Sequence, residues 1–259
     1  MKPSRLMFCK SLCLMGLLAL TACSKDAPAA ASCAPYVAPL PADVYRYPLR
    51  PGMAAWASLT TTADMLQALQ MPSSTLQSIS TPGLLATCLD YPLLSDILLS
   101  TRLQRDTRTV LGNFNGYAEL RQRPEAAPLL LRHYQLMTPA CLPDPAQQGA
   151  YSFGFSYVEL LLAQNEYLAQ LTAAQRRSLL REALAKYAAK KLLVDDVYGY
   201  FGLKTAAFVM ARVMQVEQFG PFISAMSTDS NLQYFTTEAE LQGQLRTLDT
   251  VLAYAQQLN

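Results

Sequence analysis

Apolar residues recur at helical spacing through most of the chain, and no stretch alternates apolar and polar positions long enough to argue for a strand. From about residue 60 to 137 the pattern predicts short helices punctuated by proline. Ala63, Leu66 and Leu69 mark one that ends before Met71-Pro72. Ser80-Thr81-Pro82 reads as an N-cap with proline in the first turn, opening a helix with Leu84, Leu85, Cys88 and Leu89 on it. Tyr91-Pro92 starts a third, with Leu93, Leu94, Ile97, Leu98 and Leu99 as its apolar face. Asn113-Phe114-Asn115-Gly116 is a turn signal, and Tyr117, Leu120, Leu129, Leu130, His133, Tyr134 and Met137 indicate two more helices.

Thr138 to Gly149 contains three prolines and little periodicity, so it reads as a loop between two helical subdomains. Beyond it the helices lengthen. Tyr157, Leu160, Leu161, Leu168 and Leu171 fall on one face of a helix from Tyr157 to Leu171, with Glu159 and Glu166 opposite. Two carboxylates seven residues apart lie about 10 Å apart along a helix, and their place opposite the apolar stripe assigns them to a solvated face rather than to an acid–base pair. The next helix, about 172 to 193, carries Arg176, Arg177, Arg181, Lys186, Lys190 and Lys191 against Glu182. Such a run suits anionic headgroups or acidic glycans. It suits equally a solvated helix whose terminal lysines complement the macrodipole, and this plainer account is preferred. Gly202 to Val216 is apolar nearly all round and should be central. Thr237-Glu238-Ala239-Glu240 has the form of a capping box, opening a last helix striped by Leu241, Leu245, Leu248, Leu252 and Ala255. The expected fold class is all-α, an array of helix hairpins, irregular bundle or short solenoid-like, with subdomains at 45–138 and 151–259 about a loop at 139–150.

The N-terminus changes this picture. Lys2, Arg5 and Lys10 precede a short apolar run that closes on Leu20-Thr21-Ala22-Cys23, which resembles a bacterial lipobox. The uncharged stretch between Lys10 and Lys25 has 14 residues, short of the roughly 18–20 needed to cross a bilayer. Residues 1–22 therefore read as a lipoprotein signal peptide, Cys23 as the acylated new terminus, and 23–44, rich in Ala and Pro, as a disordered tether. Acyl chains at about 0.8 kcal/mol per buried CH₂ make such an anchor lasting. The expected location is the cell envelope, on the outer membrane, with the membrane as partner through the lipid.

Removing the signal leaves 18 Lys+Arg (21 less Lys2, Arg5 and Lys10) against 19 Asp+Glu, a net of −1 over 237 residues. A near-neutral ectodomain lacks the footprint of a nucleic-acid binder. A 51% apolar composition is ample for a core, and Trp56, the only tryptophan, is expected to anchor it. Of six cysteines, Cys33, Cys88 and Cys141 remain in the body, enough for one disulfide whose pairing the sequence does not choose. Cys88 alternatively serves as a small buried apolar residue with the others as loop thiols, and the spacing matches no zinc site.

Tyr47-Pro48, Pro51-Gly52, Trp56, Gln70-Met71-Pro72, Ser80-Thr81, Cys88-Leu89-Asp90-Tyr91-Pro92, Phe114-Asn115-Gly116 and Glu119-Leu120 form a recurring set of aromatic, proline and glycine marks. Over residues 45 to 135 this set resembles a pattern in uncharacterised secreted proteins and lipoproteins of Bacteroidota. The resemblance implies a helical envelope protein and carries no activity.

Candidate chemistry is sparse. His133 is the only histidine, and no nucleophile elbow, phosphate loop or dinucleotide fingerprint is present. No cofactor or metal set is expected. Asp195, Asp196, Tyr198 and Tyr200, in a connection between two helices, are the weak ligand-binding candidates: adjacent carboxylates beside rings suit a cation or a sugar, as they also suit an ordinary turn. The expected function is non-enzymatic binding or assembly toward a protein or glycan partner or another extracellular ligand. The alternative is a carboxylate-based hydrolase of glycan or peptide using acids such as Asp90, Asp96, Asp195 or Asp196.

Overall fold

The structure, a computed structural model, describes residues 33–99 and 101–259. The signal, Cys23 and the first part of the tether lie outside the described residues. Among those described the fold is all-α, with no strand, and residues 33–259 make one compact unit about a contiguous core. The expected separation at the Pro-rich loop therefore gives way to a single body. Pro145, at the first helical turn, starts helix α7 inside that loop, as proline does where an amide donor is not needed.

The N-terminal half holds α1 (Thr62–Ala68), α2 (Ser73–Ser78), α3 (Thr81–Leu89), α4 (Leu103–Gly112), α5 (Asn115–Leu120) and α6 (Ala126–Leu136). The helix expected after Tyr91-Pro92 is a 3-10 segment, Leu94–Leu99. Ser80 caps α3 as its sequence indicated, accepting the Gly83 amide at 3.1 Å. The aromatic, proline and glycine marks between Tyr47 and Leu120 are structural. Tyr47, Tyr91, Phe114 and Tyr117 form one ring cluster, Tyr91 stacked on Phe114 at 4.4 Å. Tyr47 and Tyr117 donate their hydroxyls to the carbonyls of Thr87 and Cys88, at 3.0 and 2.7 Å. Asn115 pairs side chain to backbone with Met71, giving 2.8 Å to its carbonyl and accepting its amide at 3.0 Å, which staples the Gln70-Met71-Pro72 turn to the Phe114 turn. Trp56 stands apart from this cluster: it sits in a 3-10 turn, Trp56–Ser58, partly exposed at the edge of the core rather than anchoring it.

The C-terminal half holds α7 (Pro145–Leu162), α8 (Asn165–Gln170), α9 (Ala173–Lys191), a π turn (Val194–Tyr198), α10 (Gly199–Val216), α11 (Gly220–Thr228), α12 (Ser230–Glu238) and α13 (Arg246–Leu258). Its centre is α10, nearly all buried and packed against α7, α9 and α13, as its all-round apolar pattern required. The expected 157–171 helix is two, α7 and α8. Arg212 of α10 takes the Ala163 carbonyl at 3.1 Å and the Asn165 side chain at 2.6 Å, satisfying the chain where it breaks. Thr172 and Gln175 make a reciprocal capping box at the start of α9. The box expected at Thr237–Glu240 does not form: Thr237 and Glu238 finish α12, and Ala239 turns left-handed at φ 55°.

The stretch expected to be a free tether is partly a strap. From Cys33, bridged to Cys141, residues 33–44 run extended across α3 and α6 to Asp43. The Asp43 carboxylate accepts the Ser80 amide at 2.6 Å and the Ser80 hydroxyl at 3.1 Å, bonds that hold its pKa below the usual value. A Cβ at Gly83 would stand 2.3 Å from this carboxylate, so the close approach requires glycine there. Cys88 is the buried free thiol, matching the reading of it as a small apolar residue.

Candidate functional site

The weak ligand-binding candidates do not converge. Asp195 and Asp196 are exposed on the π turn, Tyr200 is exposed on α10, and Tyr198 is buried, its hydroxyl donating to the Pro139 carbonyl at 2.8 Å. Tyr198 thus ties the π turn that leads into α10 to the loop after α6 and presents no face to a ligand. Asp90 is exposed and paired with Arg50, and Asp96 stands elsewhere, in the first turn of the 3-10 segment. The acids considered for hydrolysis are not gathered into one cleft.

Glu159 and Lys190, assigned to solvated faces by periodicity, are instead fully buried and bound to one another. Lys190 Nζ donates to both carboxylate oxygens, at 2.7 and 2.8 Å, and to the Gly202 carbonyl at 3.1 Å. Tyr134 donates to Oε1 at 2.7 Å and Thr205 to Oε2 at 2.5 Å. The ammonium also lies 5.0 Å from the Phe155 ring centroid. All three ammonium protons have acceptors and each carboxylate oxygen has two donors, which is what allows charges to persist in a dry interior. Burial lowers the lysine's pKa while Glu159 opposes that shift, and burial raises that of Tyr134. The network joins α6, α7, α9 and α10 and lines none of the four clefts described, so it is a structural tie rather than a reaction centre. Sequence held a signal for it: Ser152, Ser156 and Glu159 lie at i, i+4 and i+7 on α7, and Leu179, Ala183, Lys186 and Lys190 continue one stripe on α9.

A cleft of about 380 Å³ lies between the strap and helices α3 and α6. Pro39, Leu40 and Pro41 make one wall, with Leu85, Leu89 and Leu129 opposite. Its polar groups are few. His133 meets the Tyr36 ring edge-on at 5.4 Å, and burial lowers its pKa, so the imidazole is neutral at pH 7. Asp90 is neutralised by Arg50. Arg132 is exposed and has no ion-pair partner among the described residues. The cleft thus offers apolar walls with one uncommitted cation, the usual make-up of a small-molecule site.

No helix among the described residues is long and apolar enough to cross a membrane. No family model, curated protein or solved structure matches the chain.

Proposed function

We propose that the protein is an envelope lipoprotein, held by lipid on Cys23, whose helical body binds an extracellular ligand without catalysis. The signal layout and the Leu-Thr-Ala-Cys motif support the anchor. The outer membrane is the proposed site, in keeping with the resemblance to Bacteroidota envelope proteins. One observation carries the binding role: the apolar strap cleft with Arg132 at its edge, which suits a ligand with an apolar body and an anionic end. The hydrolase reading is not favoured, because Asp90, Asp96, Asp195 and Asp196 stand apart and the sole histidine faces a tyrosine ring.

Two measurements test this. Mass spectrometry of the mature N-terminal peptide should find a diacylglyceryl group on Cys23; an unmodified peptide or an intact signal would sink the anchor. Calorimetric titration of the Cys23→Ser chain with hexanoate and with hexan-1-ol should give tighter binding of the anion, weakened about tenfold or more by Arg132→Glu, as expected for loss of a charge-assisted bond. Equal binding of acid and alcohol, or no saturable binding, would overturn the cleft's role.

A further inference from the structure

A second pocket, of about 210 Å³, lies between α1, the Tyr91–Asp96 segment and α4. Leu66, Leu93 and Val110 form its apolar side, and Asp96 and Asp106 bring carboxylates to it. Asp96 has no salt-bridge partner among the described residues. Tyr91 is the second, independent feature. It is only 3% exposed, and its hydroxyl is buried with no hydrogen-bond partner. The neighbouring hydroxyls of Tyr47 and Tyr117 each donate to a carbonyl of α3, so within this ring cluster it is the Tyr91 hydroxyl that goes unbonded. A buried polar atom left unbonded is costly and rare, and burial, with the Asp96 charge adding to it, pushes this phenol's pKa up to about 12. The hydroxyl therefore stays protonated at neutral pH, with its lone pairs open as acceptors.

We propose that this pocket binds a small organic ammonium, the Asp96 carboxylate supplying counter-charge and the Tyr91 hydroxyl oxygen accepting an ammonium N–H. The volume lies below the roughly 300–1,000 Å³ of drug-sized sites, so the ligand is small. A sugar is disfavoured because the Tyr91 ring is stacked on Phe114 and flanked by Tyr47 and Tyr117, leaving the hydroxyl edge rather than an open face. A metal ion is disfavoured by the donor set: no cluster of three or more His, Cys, Asp or Glu suited to an ion occurs among the described residues. An ammonium with a short alkyl body uses both the Asp96 carboxylate and the leucine side.

The test is titration of the full chain with n-butylammonium chloride, butan-1-ol, N-acetylglucosamine and calcium chloride, followed by heteronuclear NMR. The ammonium should bind saturably and shift resonances around Tyr91, Asp96 and Val110, with Asp96→Asn weakening it about tenfold or more and Asp195→Asn leaving it unchanged. Tyr91→Phe keeps the ring in its stack, so it should preserve or raise the unfolding midpoint while weakening butylammonium binding. Equal binding of butanol, preference for the sugar or calcium, no effect of Asp96→Asn, or a lower midpoint in Tyr91→Phe would each overturn the proposal.

Discussion

Replacing Lys190 by methionine removes the cation in contact with Glu159 while keeping most of the side chain's volume. Both partners are fully buried, and the ammonium makes three hydrogen bonds, two of them to the carboxylate. Glu159 would keep the Tyr134 and Thr205 hydroxyls but lose its counter-charge, and breaking a buried pair in this way costs about 3–5 kcal/mol. Against a total stability of about 5–15 kcal/mol this is a large loss. At about 2–4 °C per kcal/mol for a chain of this size it lowers Tm by roughly 6–20 °C. Glu159→Leu should cost a similar amount by leaving the lysine uncompensated. The double variant should recover most of the loss, because replacing a buried pair by apolar groups is often neutral. Urea unfolding of the four proteins at one pH, followed by far-UV circular dichroism, gives the cycle. A coupling of several kcal/mol is expected, with m unchanged. A loss below about 1 kcal/mol in either single variant, or a double variant as unstable as the sum, would refute the argument from desolvation.

Two further outcomes follow from the strap and its cleft. Reducing Cys33–Cys141, which closes a separation of 108 residues, should lower stability by up to about 4.7 kcal/mol in the chain-entropy account; Cys33→Ser should show the same loss and no response to dithiothreitol, and an unchanged urea midpoint on reduction would contradict it. His133 is held below its usual pKa by burial, so the unfolded chain binds its proton first as pH falls. Stability is therefore lost as pH drops from above 6.5 to the lowered folded value. Urea midpoints between pH 7.5 and 5 should fall more for the native chain than for His133→Gln, and parallel curves would rule this out.

The helices were legible where one face decides burial. α10 needed no partner to be recognised, because a helix apolar on every side belongs inside, and Ser80 announced α3 through chemistry confined to four residues. Boundaries set by distant groups were not legible. Nothing near Ala163 breaks a helix by propensity; the break is satisfied by Arg212, 49 residues away. The Pro-rich loop looked like a domain boundary because proline marks both loops and helix starts, and at Pro145 the second meaning applied. The strap was missed for a related reason. An Ala/Pro composition reads as spacer, while its attachment depends on Cys141 and Ser80, neither local to it.

Charge placed on a helix face by period alone says where a side chain points, not what meets it. Glu159 and Lys190 lie 31 residues apart and satisfy one another completely, which removes them from any chemistry with solvent even though they are the most conspicuous ionisable pair in the fold. Asp195 and Asp196 fail in the opposite way: they are open to water but line none of the clefts described. A recognition site needs both access and an unmet bond or charge. Arg132 at the strap cleft meets that condition through a charge with no ion-pair partner among the described residues, and Tyr91 meets it through a buried hydroxyl beside the Asp96 carboxylate. Both lie in the proline- and aromatic-rich N-terminal half, where the sequence offers structural marks but no catalytic ones. That arrangement suits the proposed binding role, since rigidly packed rings and turns hold the few unsatisfied groups in fixed positions.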